Sequence, residues 1–145
     1  MGEILNIFAL INTDENVFLP AQQTTRSAGY DLRARIAEQL VIQPGERALI
    51  PTGVCLTNDM PDNYLLAVCS RSGLAINHGI YVLNAPGIID ADFVGQEIQV
   101  ILANCGSEPV YIAPRLRIAQ CVLFEHKGQV GTNETLRLGG FGSTG

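Results

Sequence analysis

Short apolar or alternating runs recur along the chain with turn-forming residues between them. They are Val41-Ile42, Ala48 to Pro51, Tyr64 to Cys69, Ile80 to Leu83, Glu97 to Ala103, Val110 to Ile112 and Ile118 to Phe124. Pro44-Gly45, Pro51-Thr52-Gly53 and Gly106-Ser107-Glu108-Pro109 punctuate them. Runs this short, divided by residues that permit positive φ or fix φ, have the spacing of an all-β domain. The segment Ile98 to Leu102 partly alternates, whereas Leu65 to Val68 is apolar throughout and predicts a strand covered on both faces of a two-layered core. VIQPGERALI and YIAPRLRIAQ share an apolar pair, a proline, an arginine and an apolar continuation, which predicts two similar hairpins. Helical periodicity is nearly absent: Ala34 to Leu40 is mildly compatible with a helix, and Ser72 to Asn77 fits one short serine-capped turn. The predicted architecture is an all-β, jelly-roll-like sandwich whose exposed edges oligomerisation would cover.

At 145 residues the chain fits one domain. A domain of that size buries roughly 68–70% of its unfolded surface and folds without disulfides or a structural metal. None of Cys55, Cys69, Cys105 and Cys121 forms a CxxC pair, and three of them sit among apolar neighbours, so they read as reduced structural thiols. The apolar run Ile7 to Ile11 is too short to span a membrane, and a cytoplasmic protein is expected. The net charge of −5 argues against a nucleic-acid-binding surface, which needs clustered Lys and Arg. An anionic ligand must then be met locally, by Arg71, Arg117 and Arg137 and by a divalent cation.

Four segments carry the candidate chemistry. The C-terminal Gly139-Gly140-Phe141-Gly142-Ser143-Thr144-Gly145 cannot build a core, yet its glycine amides, two hydroxyls and one flat ring suit a ligand-ordered lid over a nucleotide. Ser70-Arg71-Ser72-Gly73 follows a buried strand and offers a guanidinium, a hydroxyl and backbone amides as a phosphate cradle; its blander reading is a capped turn with a solvated arginine. In Asn84 to Gly95, Asp90 and Asp92 sit two apart, on one face if the backbone is extended, and flank a glycine-rich bend; a turn-forming role competes with that of a base for water. Asp31, between apolar residues, would pair with Arg33 or Arg26, or hold the waters of a magnesium ion. His78 and His126 lack partners at metal spacing and read as structural.

Taken in order, AGYDLRA, RSGLA, GIIDADFVG, RIAQ and GGFGSTG resemble the five motifs of the homotrimeric dUTPases, over about Ser27 to Gly145. The resemblance implies a jelly-roll trimer that cuts dUTP to dUMP and pyrophosphate with Mg2+, at sites shared between subunits. By position, Asp90 would deprotonate the attacking water and Asp31 would hold magnesium through water. Arg71, Ser72, Gly73 and Gln120 would line the phosphates. Asn84 and the backbone of Gly87, Ile88, Ile89 and Ile98 would read uracil, with Phe93 beneath the deoxyribose. From a neighbour's C-terminal arm, about residues 129–145, Phe141 would stack on the base while Arg137, Gly142, Ser143 and Thr144 grip the terminal phosphates. Ser70 stands where the family usually has proline, Phe93 where tyrosine is usual, Arg115-Leu116 where a glycine and an acid are common, and the arm is one residue shorter. The competing readings are a dCTP deaminase of the same fold, whose catalytic glutamate is missing from Ile89-Asp90-Ala91-Asp92, a non-catalytic dUTP-binding regulator, and a purely structural jelly-roll trimer.

Overall fold

The computed structural model describes residues 6–11, 17–128 and 141. In chain order the elements are β1 (Phe8–Leu10), β2 (Ala21–Gln22), β3 (Gly29–Arg33), β4 (Leu40–Ile42), β5 (Arg47–Pro51), β6 (Val54–Leu56), β7 (Tyr64–Cys69), α1 (Ser72–His78), β8 (Ile80–Val82), β9 (Gly87–Asp90), β10 (Gln99–Asn104), β11 (Val110–Ile112) and β12 (Arg117–Glu125). A five-stranded sheet, ordered β2-β3-β12-β7-β9, faces a three-stranded sheet β5-β10-β8, with the ribbons β1-β6 and β4-β11 closing the sides of a jelly-roll-like sandwich. Leu32, Ile42, Ile50, Leu66, Ile98, Leu102, Ile112 and Ile118 fill the space between, each almost wholly buried. Among the described residues, no helix is long and apolar enough to cross a membrane.

Alternation along β12 explains its position. Cys121 points into the core, while Gln120 and the half-exposed Phe124 lie on the outer face. A register shift between Arg117 and Ala119 buries both Ile118 and Ala119. That bulge turns Arg117 onto the outer face beside Gln120, where unbroken alternation would have sent it into the core.

The seven strands expected from the apolar runs are all present, displaced at most by two residues. The two proline-centred segments, however, are not hairpins. β4 pairs with β11, β5 pairs with β10, and β12 pairs with β3 and β7, so each turn carries the chain out of the small ribbon into a larger sheet. The two turns are nonetheless alike. Glu46 N donates to Gln43 O at 2.9 Å and Leu116 N to Ala113 O at 3.2 Å, with Gly45 at φ 82° and Arg115 at φ 68°. Proline followed by a positive φ is the arrangement of a type II turn. Arg115 therefore takes the left-handed position that glycine takes in the first turn. Ala34 to Leu40 contains no helix: backbone bonds from Ala34 to Leu116 and from Arg35 to Pro51 bind its start to the two larger sheets. α1 is preceded by Arg71, not a serine, and has no side-chain cap. Its C-terminal end is better fixed. Gly79, at φ 67°, packs so closely on the next loop that a Cβ would lie 2.7 Å from Gly106 N.

The buried Asn104 secures that loop. Its amide donates to Ile42 O and Glu108 O, both at 2.9 Å, and its oxygen accepts from Gly106 N at 2.9 Å. All four cysteines are free. Burial, with smaller contributions from nearby Cys69 and Asp31, pushes the Cys121 thiol up from 9.0 to about 12.

Two expectations follow. Arg115→Gly should raise stability by about 1 kcal/mol, because a left-handed backbone costs an L-residue roughly 1–2 kcal/mol. Thermal unfolding reads this as a midpoint rise of about 2–4 °C. The folded state holds the Cys121 proton over a range in which the unfolded chain has lost it. Its contribution is thus full below pH 9.0 and falls as pH rises towards about 12. Urea unfolding between pH 9 and 11 should show a slope about 1.4 kcal/mol per pH unit steeper than in Cys121→Ala.

Candidate active site

Two groups of site residues lie on the five-stranded sheet and its connection to β10. The first is a pocket of about 220 Å3 between β9 and β10. Asn84, Gly87, Ile88, Ile89, Asp90 and Phe93 line it from the β9 segment, and Gln99 and Ile101 from β10 with Ile98 just before it, with Val68 and Val82 behind and Phe141 at its edge. This segment lies flat because β9 pairs with β7, Gly87 opposite Val68 and Asp90 opposite Leu65. Position 87 is tight: a Cβ there would stand 3.3 Å from the Asn84 amide and 3.4 Å from Val68, so a larger residue would have to displace one of them slightly. Phe93 N donates to Asp90 O at 3.1 Å, so the chain turns immediately after Asp90 and brings Phe93 to the same pocket. Asp92 lies past the end of β9 in that turn, so the expected sharing of one strand face with Asp90 does not hold.

The second group surrounds Asp31, whose side chain is only 11% exposed. Register puts Asp31 opposite Gln120, and Gln120 opposite Cys69. Asp31 pairs with neither Arg33 nor Arg26. Its oxygens face Arg71 Nε at 3.6 Å and Arg117 Nη1 at 3.8 Å, and the Gln23 amide donates to it as well. Arg33 instead donates to Arg115 O at 3.1 Å and lies over the Phe18 ring. Arg71 also donates to Arg117 O at 3.4 Å. The cluster thus presents two guanidinium groups beside one carboxylate, a net positive charge suited to phosphate oxygens. Ser72 and Gly73 are exposed next to it at the start of α1, and nothing lies within 4 Å of where a Gly73 Cβ would be, which leaves room for a ligand.

Ser70 links the two groups. Its hydroxyl accepts from Val82 N at 2.8 Å and its carbonyl from the Gln120 amide at 3.1 Å. The hydroxyl joins the strand end carrying Arg71 to β8, two residues before Asn84.

Of the expected site residues, Asn84, Gly87, Ile88, Ile89, Asp90, Phe93, Ile98 and Phe141 meet in the pocket, and Arg71, Ser72, Gly73, Gln120 and Asp31 gather at or beside the cation cluster. Arg137, Gly142, Ser143 and Thr144 lie outside the described residues. Phe141 stands against the pocket of its own chain and is 58% exposed. Gln23 and the wall residues Val68, Val82, Gln99 and Ile101 were not anticipated. Gln23 follows a two-residue strand without periodicity, Val68, Val82 and Ile101 carry only the apolar signal of any strand, and Gln99 is an ordinary polar position at the start of one.

Among the described residues, no group of three or more His, Cys, Asp or Glu is placed to hold a metal ion. Asp31 is a single carboxylate already facing two arginines, a donor set that fits an outer-sphere hold on hydrated Mg2+ and not direct ligation.

The molecule is a jelly-roll protein with an aspartate-bearing pocket and an arginine-rich cation cluster. The dUTPase family model matches residues 15–145, and the chain belongs to the dUTPase family. The deoxyuridine 5'-triphosphate nucleotidohydrolase of Chlamydia pneumoniae is 50% identical over 135 residues, covering 88% of this chain and 90% of that protein. Its namesake from Rhizobium leguminosarum bv. trifolii is 43% identical over 149 residues, covering 97% and 93%. The crystal structure of dUTPase from Streptococcus mutans matches with a TM-score of 0.75 at 30% identity, over 87% of this chain and 100% of that one.

A methyl on Gly29 would run into the Gln120 amide. Gly29→Ala should therefore push that amide off Ser70 O and cost about 1–2 kcal/mol of stability, measured by urea unfolding.

Proposed function

We propose that this dUTP diphosphatase uses Asp90 to deprotonate a water whose oxygen attacks the α-phosphorus of dUTP. The new bond forms between water oxygen and phosphorus, and the bond to the bridging oxygen of the β-phosphate breaks. Pyrophosphate leaves with that electron pair, and dUMP remains. The observation that carries this reading is the presence of Asp90 in the wall of the same pocket as Asn84, Gly87, Phe93 and Phe141. A carboxylate held beside a bound nucleotide's α-phosphate is placed to act on water, and positioning with charge stabilisation then supplies most of the acceleration.

In this reading Asn84 and the backbone of Gly87, Ile88 and Ile89 bind uracil, Ile98 closes the wall beside it with its own N–H and carbonyl held by Val54 and Thr52, Phe141 stacks on the base, and Phe93 packs under the deoxyribose and excludes a 2′-hydroxyl. Arg71, Ser72, Gly73 and Gln120 bind phosphates. Asp31 holds hydrated Mg2+, which neutralises phosphate charge when bound. The arm residues Arg137, Gly142, Ser143 and Thr144 close over the terminal phosphates. The products feed dUMP to thymidylate synthesis and keep uracil out of DNA, and the substrate belongs to the cytoplasmic nucleotide pool.

In this reading the protein is a homotrimer with shared sites, which distance and surface support. Asp31 is level with Cys69, and Asp90 with Leu65, four residues away along β7 and three strand spacings across the sheet. At about 3.3 Å per residue and about 4.8 Å per strand, the two carboxylates are about 20 Å apart, well beyond a triphosphate's length. That separation supports the two groups being brought to one substrate by different chains. The outer face between them carries Leu65, Val122, Phe124 and Ile88, the last two 50% and 54% exposed. An apolar sheet face of that kind calls for a partner.

Pyrophosphate release with Mg2+ and dUTP, dCTP, dTTP or UTP tests the assignment. Selective conversion of dUTP is expected, and ammonia release from dCTP would support the deaminase instead. Asp90→Asn should retain dUTP binding while lowering kcat by about 10²–10⁴; full activity in that variant would remove Asp90 from the role of base.

A further inference from the structure

The turn between β5 and β6 is hydrogen-bonded to Ile98 in the wall of the pocket, although none of its residues lines that pocket. Thr52 is 3% exposed, one of two buried polar side chains among the described residues. Its hydroxyl donates to Ile98 O at 2.5 Å and accepts from Val54 N at 3.3 Å. Two further bonds grip the same stretch: Gly53 N donates to Glu97 Oε2 at 2.8 Å, and Ile98 N donates to Val54 O at 2.8 Å. Glu97 is braced from its other side by Arg35 at 3.7 Å. Ile98 lines the pocket and is itself 1% exposed, so its peptide cannot exchange a lost partner for bulk water without moving.

We propose that Thr52 is a positioning residue that sets base selectivity, by locking the Ile98 peptide against the uracil-binding wall. The inference rests on the reading of this pocket as the base site. A pocket rejects one additional methyl group by steric exclusion only if its walls cannot give way, and a methyl-sized difference is worth roughly 10–200-fold in selection. Ile98 has its N–H fixed by Val54 and its carbonyl by Thr52. Removing the hydroxyl while keeping the shape leaves a buried carbonyl without its donor, and the peptide must rotate or shift to find another. The wall is then free to retreat from a 5-methyl group. Thr52 meets neither substrate nor water in this scheme.

The test compares unaltered protein, Thr52→Val and Thr52→Ser with dUTP and dTTP, well below each protein's unfolding midpoint. Thr52→Val should lower the ratio of kcat/KM for dUTP over dTTP about tenfold. Its KM for dUTP should rise by more than its kcat falls. Thr52→Ser, which keeps the hydroxyl, should restore the ratio to within about twofold of the unaltered protein. A lower melting temperature with an unchanged ratio in Thr52→Val would make the residue merely structural and overturn the proposal, as would a serine variant as unselective as the valine one. Should Thr52→Val not fold, Thr52→Cys, with a similar volume and a weak donor, takes its place with the same expected loss. Absence of any preference for dUTP in the unaltered protein would overturn the base-pocket reading itself, whereas a preference undiminished in Thr52→Val overturns only the role of Thr52.

Discussion

The structure depends on the pairing of β12 with β3 along one edge and β7 along the other. The pleat sends Cys121 and Gln120 to opposite faces, so one strand completes the core and builds the site at once. A slip of one residue would bury the Gln120 amide and expose the Cys121 thiol, and the core would resist it strongly. The bulge at Ile118 adds what simple alternation cannot. It buries two consecutive apolar residues and returns Arg117 to the face on which Asp31 lies.

From this strand the two site groups differ in how they are made. The pocket is mostly local: Asn84 to Phe93 is a single segment folded on itself, closed by β10. The cation cluster is assembled by the register of β3, β12 and β7 together with Arg71, two residues beyond the end of β7. Ser70 joins them through one hydroxyl, where the dUTPases commonly have a proline that could make no such bond. In each group the backbone is tied down by side chains remote from the ligand face, Thr52 under Ile98 and Asn104 under the loop that receives α1.

The same division explains what could be read from the sequence. The strand runs and the segment from Asn84 to Phe93 were legible because their pattern is local, and the motif order identified the family. The pairing of β4 with β11 was not, because proline turns that look like hairpins say nothing of which sheet the chain enters next. β1 and β6 were not read as strands, although β4, β8 and β11, equally short, were. Ala34 to Leu40 has residues that tolerate a helix, but backbone bonds to two sheets take precedence there. Asp31 was read with sequence neighbours as partners, and its actual partners lie 40 and 86 positions away. Thr52 gave only the signal of a turn, since a buried hydroxyl is not distinguished by its spelling.

The distance between Asp31 and Asp90 has a consequence for how such a protein behaves in a cell. On the shared-site reading, a lone chain carries two unfinished halves, and dilution that separates the chains disarms it. Output then rises more steeply than in proportion to the amount of chain present wherever assembly is incomplete, so expression level sets not only how much enzyme there is but what fraction of it is competent.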